Sequence, residues 1–482
     1  MRRILVVAAL LLAAGCTTGQ LAGPSQCQDW FVALDERVDA AAVRDAQTTR
    51  LPGFPYLRTD RLMASLRDRA AQRPDTLAVL GQRMRELDLE ARRHEIDNLP
   101  DGTLYGTRAE ALRRTEECGV ELLAADLADQ PRREALVAAA RVPDDYSTTL
   151  RVFGLYSLTR IPFTSGVRKF EGEQRAAFAA ASATSPNRVR YAPPSVRPLS
   201  REVVKGLLAR GKFDPLGQPQ VSGREFEALA VTYAPSFDIA VAGDYDRFGA
   251  LRWRRGESTP GVDATDPVVY VQPAYTRYGD AVLLQIVYTL WFSERPAGSS
   301  FDLLAGRLDG LVWRVTLAPD GAPILHDTIH PCGCYHWFFP SSRARPKPAP
   351  DPDEEWAFAP QALQLGEGER PLVSIASVTH FVERIDAVHG PDSLVHYTLR
   401  SYNELRSLQR MDGGRRSAFG PDGLIAGSER GERFLYWPMG IVSAGAMRQW
   451  GRHATAFVGR RHFDDADLLE RRFALDLENP SP

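Results

Sequence analysis

The spacing of apolar residues divides the chain into two regions with different periods. From about residue 27 to residue 141 they recur every three or four positions. Leu62, Leu66 and Ala70 show this, as do Leu77, Leu80, Met84 and Leu87, with Arg and Glu between them. That is the stripe of an amphipathic helix. Pro100-Asp101-Gly102 interrupts it, a second run covers 107–127, and Asp129-Gln130-Pro131 opens another through Ala140. The pattern predicts a domain of four or five helices over 27–141. The middle, 142–235, is mixed. Residues 149–158 alternate well enough for a strand, 185–200 read as an extended Pro/Ser/Arg loop, and Ser200 is placed to cap a short helix. From about 236 the period falls to two. Residues 268–275 and 281–292 are apolar, aromatic and β-branched around a turn at 277–280. Residues 311–317 and 322–329 flank Pro319-Asp320-Gly321 in the same way. Both pairs predict hairpins. Further strands are expected at 371–385 and 394–401, helices at 443–447 and 464–472, and a Pro-rich surface loop at 341–355. The expected fold class is α+β: a helical N-terminal domain, then a larger domain, 142–482, built on an antiparallel sheet.

Composition supports a buried core and narrows the partners. The chain has 482 residues, 44% of them apolar, and a formal net charge of −2 from 59 basic and 61 acidic side chains. That balance leaves no electrostatic footprint for nucleic acid. Lysine occurs only at 169, 205, 212 and 347. The arginines that supply the remaining positive charge are spread along the chain, not clustered as a phosphate-binding design would have them.

The N-terminus gives an address. Arg2 and Arg3 precede an apolar run at 4–14, too short to span a bilayer, and Ala13-Ala14-Gly15 lead to Cys16. Ala-Ala-Gly-Cys resembles a bacterial lipobox. The resemblance implies a signal peptide over 1–15 and acylation of Cys16 (palmitate among the chains). Residues 16–26 would form a tether, and Thr17 in place of Asp points to the outer membrane, facing the periplasm. The remaining cysteines are Cys27, Cys118, Cys332 and Cys334, an even number that suits disulfides in an oxidising compartment. Pairings 27–118 and 332–334 are the economical expectation.

The densest chemistry is His326-Asp327-Thr328-Ile329-His330-Pro331-Cys332-Gly333-Cys334-Tyr335-His336. Eight of the nine histidines lie between 326 and 462. A bend at Pro331 and Gly333 would gather His330, Cys332, Cys334 and His336 into a set able to bind zinc or reduced copper, with His326 or His380 as further ligands. A Cys332–Cys334 disulfide would remove that option, and a thiol-exchanging pair is a third reading. The aromatic residues at 335–339 are expected in the core or beside a ligand groove. Arg448, Arg452, Arg460 and Arg461, near His453 and His462, form a basic stretch whose two readings are a solvated face and an anion site. Gly-x-Ser-x-Gly, His-Glu-x-x-His, phosphate-loop and dinucleotide fingerprints are all absent.

Residues from about 268 to 473 resemble a family of uncharacterised lipoproteins of Gram-negative bacteria. The resemblance rests on Trp313-Arg314-Val315-Thr316-Leu317, on His330-Pro331-Cys332-Gly333-Cys334-Tyr335-His336 and on residues 450–465. It implies an address and no chemistry. The sequence therefore leads to the expectation of an envelope lipoprotein that binds a protein or envelope component, with a metal-dependent or thiol–disulfide role as alternatives.

Overall fold

The computed structural model describes residues 24–180, 187–389 and 395–478. Cys16 and the tether through residue 23 lie outside them. The fold is α+β, with helices first and sheets after.

The helical part contains α1 (Pro24–Ala40), α2 (Arg61–Ala70), α3 (Pro74–Asn98), α4 (Arg108–Ala128) and α5 (Gln130–Ala139). A hairpin of β1 (Thr49–Leu51) and β2 (Phe54–Thr59) sits between α1 and α2. The helix starts have local causes. The Asp60 carboxylate accepts the Met63 N–H at 2.7 Å, and Thr107 with Glu110 forms a capping box. Helix α1 begins at Pro24, so the last residues of the expected tether are already folded. The Cys27–Cys118 disulfide forms as expected and joins α1 to α4. It lies in a core with Phe31, Leu66, Leu80 and Met84.

This part is not sealed off from the rest. Arg58 is fully buried, with Nη2 2.7 Å from Glu95 and Nε 3.0 Å from Asp88. Arg406, from the C-terminal half, places Nε 2.8 Å from Asp45. His94 Nδ1 lies 2.6 Å from Ser407 Oγ. Buried charges need partners, and here the partners come from both sides of the junction.

The strand expected at 149–158 is instead helix, α6 (Thr148–Phe153) and α7 (Tyr156–Ala180). Ser147 caps α6 by accepting the Leu150 N–H at 3.2 Å. The alternation read as a strand pattern leaves several apolar side chains exposed. The chain continues through β3 (Arg188–Ala192), α8 (Arg201–Leu208), α9 (Gly223–Thr232), β4 (Ser236–Ala240) and the small hairpin β5 (Ala250–Arg252) and β6 (Gly261–Asp263). Ser200 caps α8 as expected.

The central sheet follows, with β7 (Val268–Tyr278), β8 (Ala281–Arg295), β9 (Gly306–Leu317), β10 (Pro323–Ile329) and β11 (Trp337–Pro340). Both hairpins expected here form, as β7–β8 and β9–β10. Next come β12 (Ala344–Pro346), β13 (Glu369–Ile375), β14 (Val382–His389), β15 (Val395–His396) and β16 (Thr398–Ser401). Strand β12 pairs with Phe473–Leu475, and Arg343 is buried, so the Pro-rich segment 341–355 is only partly a surface loop. Residues 443–447 form turns in place of the expected helix.

The six-stranded sheet runs β11-β10-β9-β8-β7-β16, antiparallel except for the parallel edge pair β7–β16. A five-stranded mixed sheet runs β14-β13-β4-β3-β15. Phe237, Ile239, Val373 and Ile375 of this second sheet share one core with Ile286, Tyr288, Trp313 and Val315 of the first.

Candidate functional site

Side chains along a strand alternate between faces, and that alternation divides the His/Cys stretch. On β10, His326 faces the shared core and stacks on Trp313 at 5.3 Å between ring centroids. Burial pushes it down to about pKa 3, so it is a neutral packing residue. Asp327 points the other way. There Arg314 reaches it with Nε at 2.9 Å and Nη2 at 2.5 Å, and His336 Nε2 lies 2.9 Å away. Burial, opposed by this hydrogen bond, holds His336 at about pKa 3.

His330 and His380 converge on a different carboxylate, Asp309. His330 Nδ1 is 3.2 Å from Oδ1, and His380 Nδ1 is 2.9 Å from Oδ2. The far nitrogen of His380 lies 3.3 Å from Asp246, its ring stacks on Phe292 at 3.9 Å, and Arg430 approaches Asp309 at 3.5 Å. All of these groups are buried. Although burial opposes it, the two carboxylates raise the pKa of His380. Burial likewise opposes ionisation of Asp309, yet His330 and Arg430 hold its carboxyl well below the usual range. The arrangement clamps six chain segments together. It also fixes the pH response. A raised histidine pKa contributes stability below the unfolded value of about 6.5, and that contribution is lost as pH rises through the folded value. Thermal melts should therefore weaken above neutrality, and His380→Gln should reduce that alkaline limb, leaving the part supplied by His462, where burial is outweighed by Asp144 and Asp465, which raise its pKa. A His380→Gln profile that keeps the wild-type slope would refute this account.

The bend at Gly333 forms. The His330 N–H donates to the Cys334 carbonyl at 2.9 Å and the Gly333 N–H to the His330 carbonyl at 2.7 Å. Gly333 has φ +94°, and a Cβ there would stand 2.4 Å from the Ala454 carbonyl oxygen. Cys332 and Cys334 nevertheless remain free thiols, so the expected second disulfide is not made. Cys332 Sγ instead accepts the Cys334 N–H at 3.4 Å. Among the described residues, no group of three or more His, Cys, Asp or Glu side chains is placed to hold a metal ion. The expected zinc or copper set of His330, Cys332, Cys334 and His336, with His326 or His380, is thus not assembled, because its imidazoles are committed to Asp309, Asp327 and Trp313.

Cys332, Cys334, Tyr335 and His336 line a cavity of about 80 Å³ together with Glu355 and Arg461. His336 Nδ1, buried, makes no hydrogen bond within the protein. At roughly 30 Å³ per water, this space holds a few waters and falls short of the expected ligand groove. Hydrogen bonding to Cys332, followed by burial, raises the Cys334 thiol well above its ordinary pKa. Since the thiolate is the nucleophile and Cys332 is itself buried, both thiols should react in denaturant, and native-state alkylation at pH 8 should run at least tenfold slower. Fast native labelling of either would revive the thiol-exchange reading. The basic stretch is also committed internally. Arg448 bonds carbonyls of Cys332 and Ser443, Arg452 and Arg460 pair with Asp145 and Asp144, and Arg461 bonds Thr455 and Trp356.

A larger space lies elsewhere. Strand β16 pairs with β7 only across Val268–Val271, whereas β8 pairs with β7 through Tyr278. Beyond Val271 that edge of β7 opens onto a cleft of about 910 Å³, walled by α2, α3 and α9. Gln272, Pro273, Ala274 and Tyr275 form its floor, and Trp450 and Asp464 stand at its rim. Gln272 is buried, and its amide nitrogen has no hydrogen-bond partner in the protein. Gln47 Oε1 and Thr48 Oγ1 on the wall are likewise buried and unpartnered. Burial, with a contribution from Asp464, pushes Asp60 up to about pKa 6. Sequence reasoning missed this site because its residues come from nine separate segments and carry no motif. A polar Gln272 inside an apolar strand run was the one available signal. Compared with protein-family models, curated proteins and solved structures, the chain matches none.

Proposed function

We propose that the protein is a lipoprotein anchored through Cys16 in the outer membrane, facing the periplasm, that binds a small neutral polar ligand in the cleft beside β7. The reading extends the resemblance to Gram-negative lipoproteins. The observation that carries the binding role is the unpartnered Gln272 amide on the cleft floor. Leaving a buried polar group unsatisfied costs about 1–3 kcal/mol, a cost that a ligand acceptor would offset once the amide turns from its closed position into the cleft. The volume suits a small molecule, at the upper end of the roughly 300–1,000 Å³ usual for such sites.

Charge pairing favours a neutral ligand. The cleft arginines already have carboxylate partners: Arg61 with Asp145 and Asp464, Arg83 with Asp214, and Arg400 with Asp266. The side chains left to meet a ligand are the carboxyls of Asp60 and Glu227, amides, hydroxyls and the aromatic faces of Trp450 and Phe226, a set that recognises the hydroxyls and C–H faces of a saccharide. An added peptide strand fits less well. Arg277 donates its N–H away from β8, to the Ala466 carbonyl at 2.6 Å. By strand alternation the imide nitrogen of Pro273 faces the same side, so the open edge lacks a donor there.

The test does not require knowing the ligand. Gln272→Leu should stabilise the mature chain by about 1 kcal/mol, and it should abolish any thermal shift given by neutral oligosaccharides. Destabilisation by Gln272→Leu would mean that the amide is satisfied inside the fold and would remove the basis of the proposal. Mass measurement of the mature N-terminus tests the anchor separately.

A further inference from the structure

The junction of α6 and α7 turns apolar side chains outward. Val152, Phe153, Leu155, Leu158 and Ile161 are each between 62% and 76% exposed. Leu155 has φ +49°, a left-handed conformation that a leucine adopts only at a cost. The chain thus spends backbone strain at a residue whose side chain faces water.

A second apolar group adjoins the first. Helix α10 (Arg433–Tyr436) and the turn after it expose Phe434, Leu435 and Trp437. The two groups are packed together. The Ser147 N–H donates to the Gly440 carbonyl at 2.8 Å, and the Phe163 and Tyr436 rings meet at 5.5 Å. A Cβ on Gly154 would stand 2.6 Å from Pro438. The Glu432 N–H donates to the Leu303 carbonyl at 3.0 Å, which brings Leu303 and the 91% exposed Phe301 to the same border. Together these side chains expose on the order of 1,000 Å² of apolar surface, beyond the roughly 300–600 Å² of a typical largest patch.

We infer that this surface rests on the lipid bilayer. The inference depends on the proposed anchor at Cys16. From Cys16 to Pro24 the chain can extend at most about 28 Å, so the anchored protein meets the bilayer at high effective concentration. The composition suits the interface. Phe, Trp and Leu make up most of the surface, and the Arg433 guanidinium lies 4.8 Å over the Phe434 ring, placing a cation beside the apolar group where lipid phosphates would lie.

The test uses the mature chain carrying Cys16→Ser behind an ordinary cleavable signal, so that no acyl group contributes. Flotation with phosphatidylethanolamine/phosphatidylglycerol vesicles should carry a measurable fraction of the protein upward. Leu158→Asp/Phe434→Asp should weaken that partition at least tenfold with no change in melting temperature, since both side chains are exposed. Absence of flotation, or equal flotation of the double variant, overturns the inference. So does sedimentation of the chain as a dimer that the double variant converts to monomer, which would assign the surface to a second copy. The mass of the native N-terminus reports on the anchor independently, so an unacylated Cys16 is distinguishable from a patch that ignores lipid.

Discussion

Arg314→Met is expected to destabilise the protein by about 3–5 kcal/mol, the range for removing one partner of a buried ion pair. Both partners are buried, with side-chain exposures of 1% and 0%. The guanidinium holds Asp327 through two hydrogen bonds, donates a third to the Phe463 carbonyl, and lies 3.7 Å over the Phe463 ring. Methionine fills much of the volume but leaves Asp327 ionised or forced to take up a proton, with only His336 beside it. The double variant Arg314→Met/Asp327→Leu should recover most of the loss, because the stranded charge is then gone. Chemical denaturation of the three chains checks this. If the double variant is as unstable as the single, the cost lies in packing around Phe463 and the electrostatic account fails.

Removing the disulfide with Cys27→Ala/Cys118→Ala should cost about 4 kcal/mol. The bridge spans a sequence separation of 91, and closing a loop of that length restricts the unfolded chain by roughly that amount in the chain-entropy treatment. Both cysteines are also buried in the helical core, so alanine adds a small packing loss. The comparison is best made against wild type under oxidising and reducing conditions. A cost below about 1 kcal/mol would mean that α1 is held as firmly by Phe31, Leu34 and the Arg92–Asp35 pair as by the bridge.

The acid side of the stability profile follows from the same buried pairs. Asp309 and Asp327 titrate below their ordinary values, so their contribution is present above about pH 4 and is lost as pH falls through their lowered pKa values. His326 and His336, which burial holds neutral, add an acid limb of their own that sets in as pH falls below about 6.5, so with the raised His380 maximal stability lies near neutrality.

The sequence alone determined the elements whose causes are local. The helical period of Leu77, Leu80 and Met84 gave α3, and Pro319-Asp320-Gly321 gave the β9–β10 turn. Ser200 gave a helix start, and Gly333 gave the bend within the His/Cys stretch. The economical cysteine pairing contained the 27–118 bridge, but it also paired Cys332 with Cys334, which stay free. Each rests on chemistry within a few residues or on simple pairing. The alternation over 149–158 does not produce a strand because the burial that separates a strand from a short capped helix is set by distant neighbours such as Pro438.

The site depended on tertiary structure in the same way. Adjacent residues His326 and Asp327 lie on opposite faces of one strand, so the histidines that cluster in sequence find separate partners, one of them Asp309 from another strand. The cleft exists because β16 stops pairing at Val271 and three helices from elsewhere close over the exposed edge of β7. Neither the commitment of the imidazoles nor the open edge is encoded within any short stretch. Both arise from which segments meet, and burial then makes each unpaired polar atom consequential.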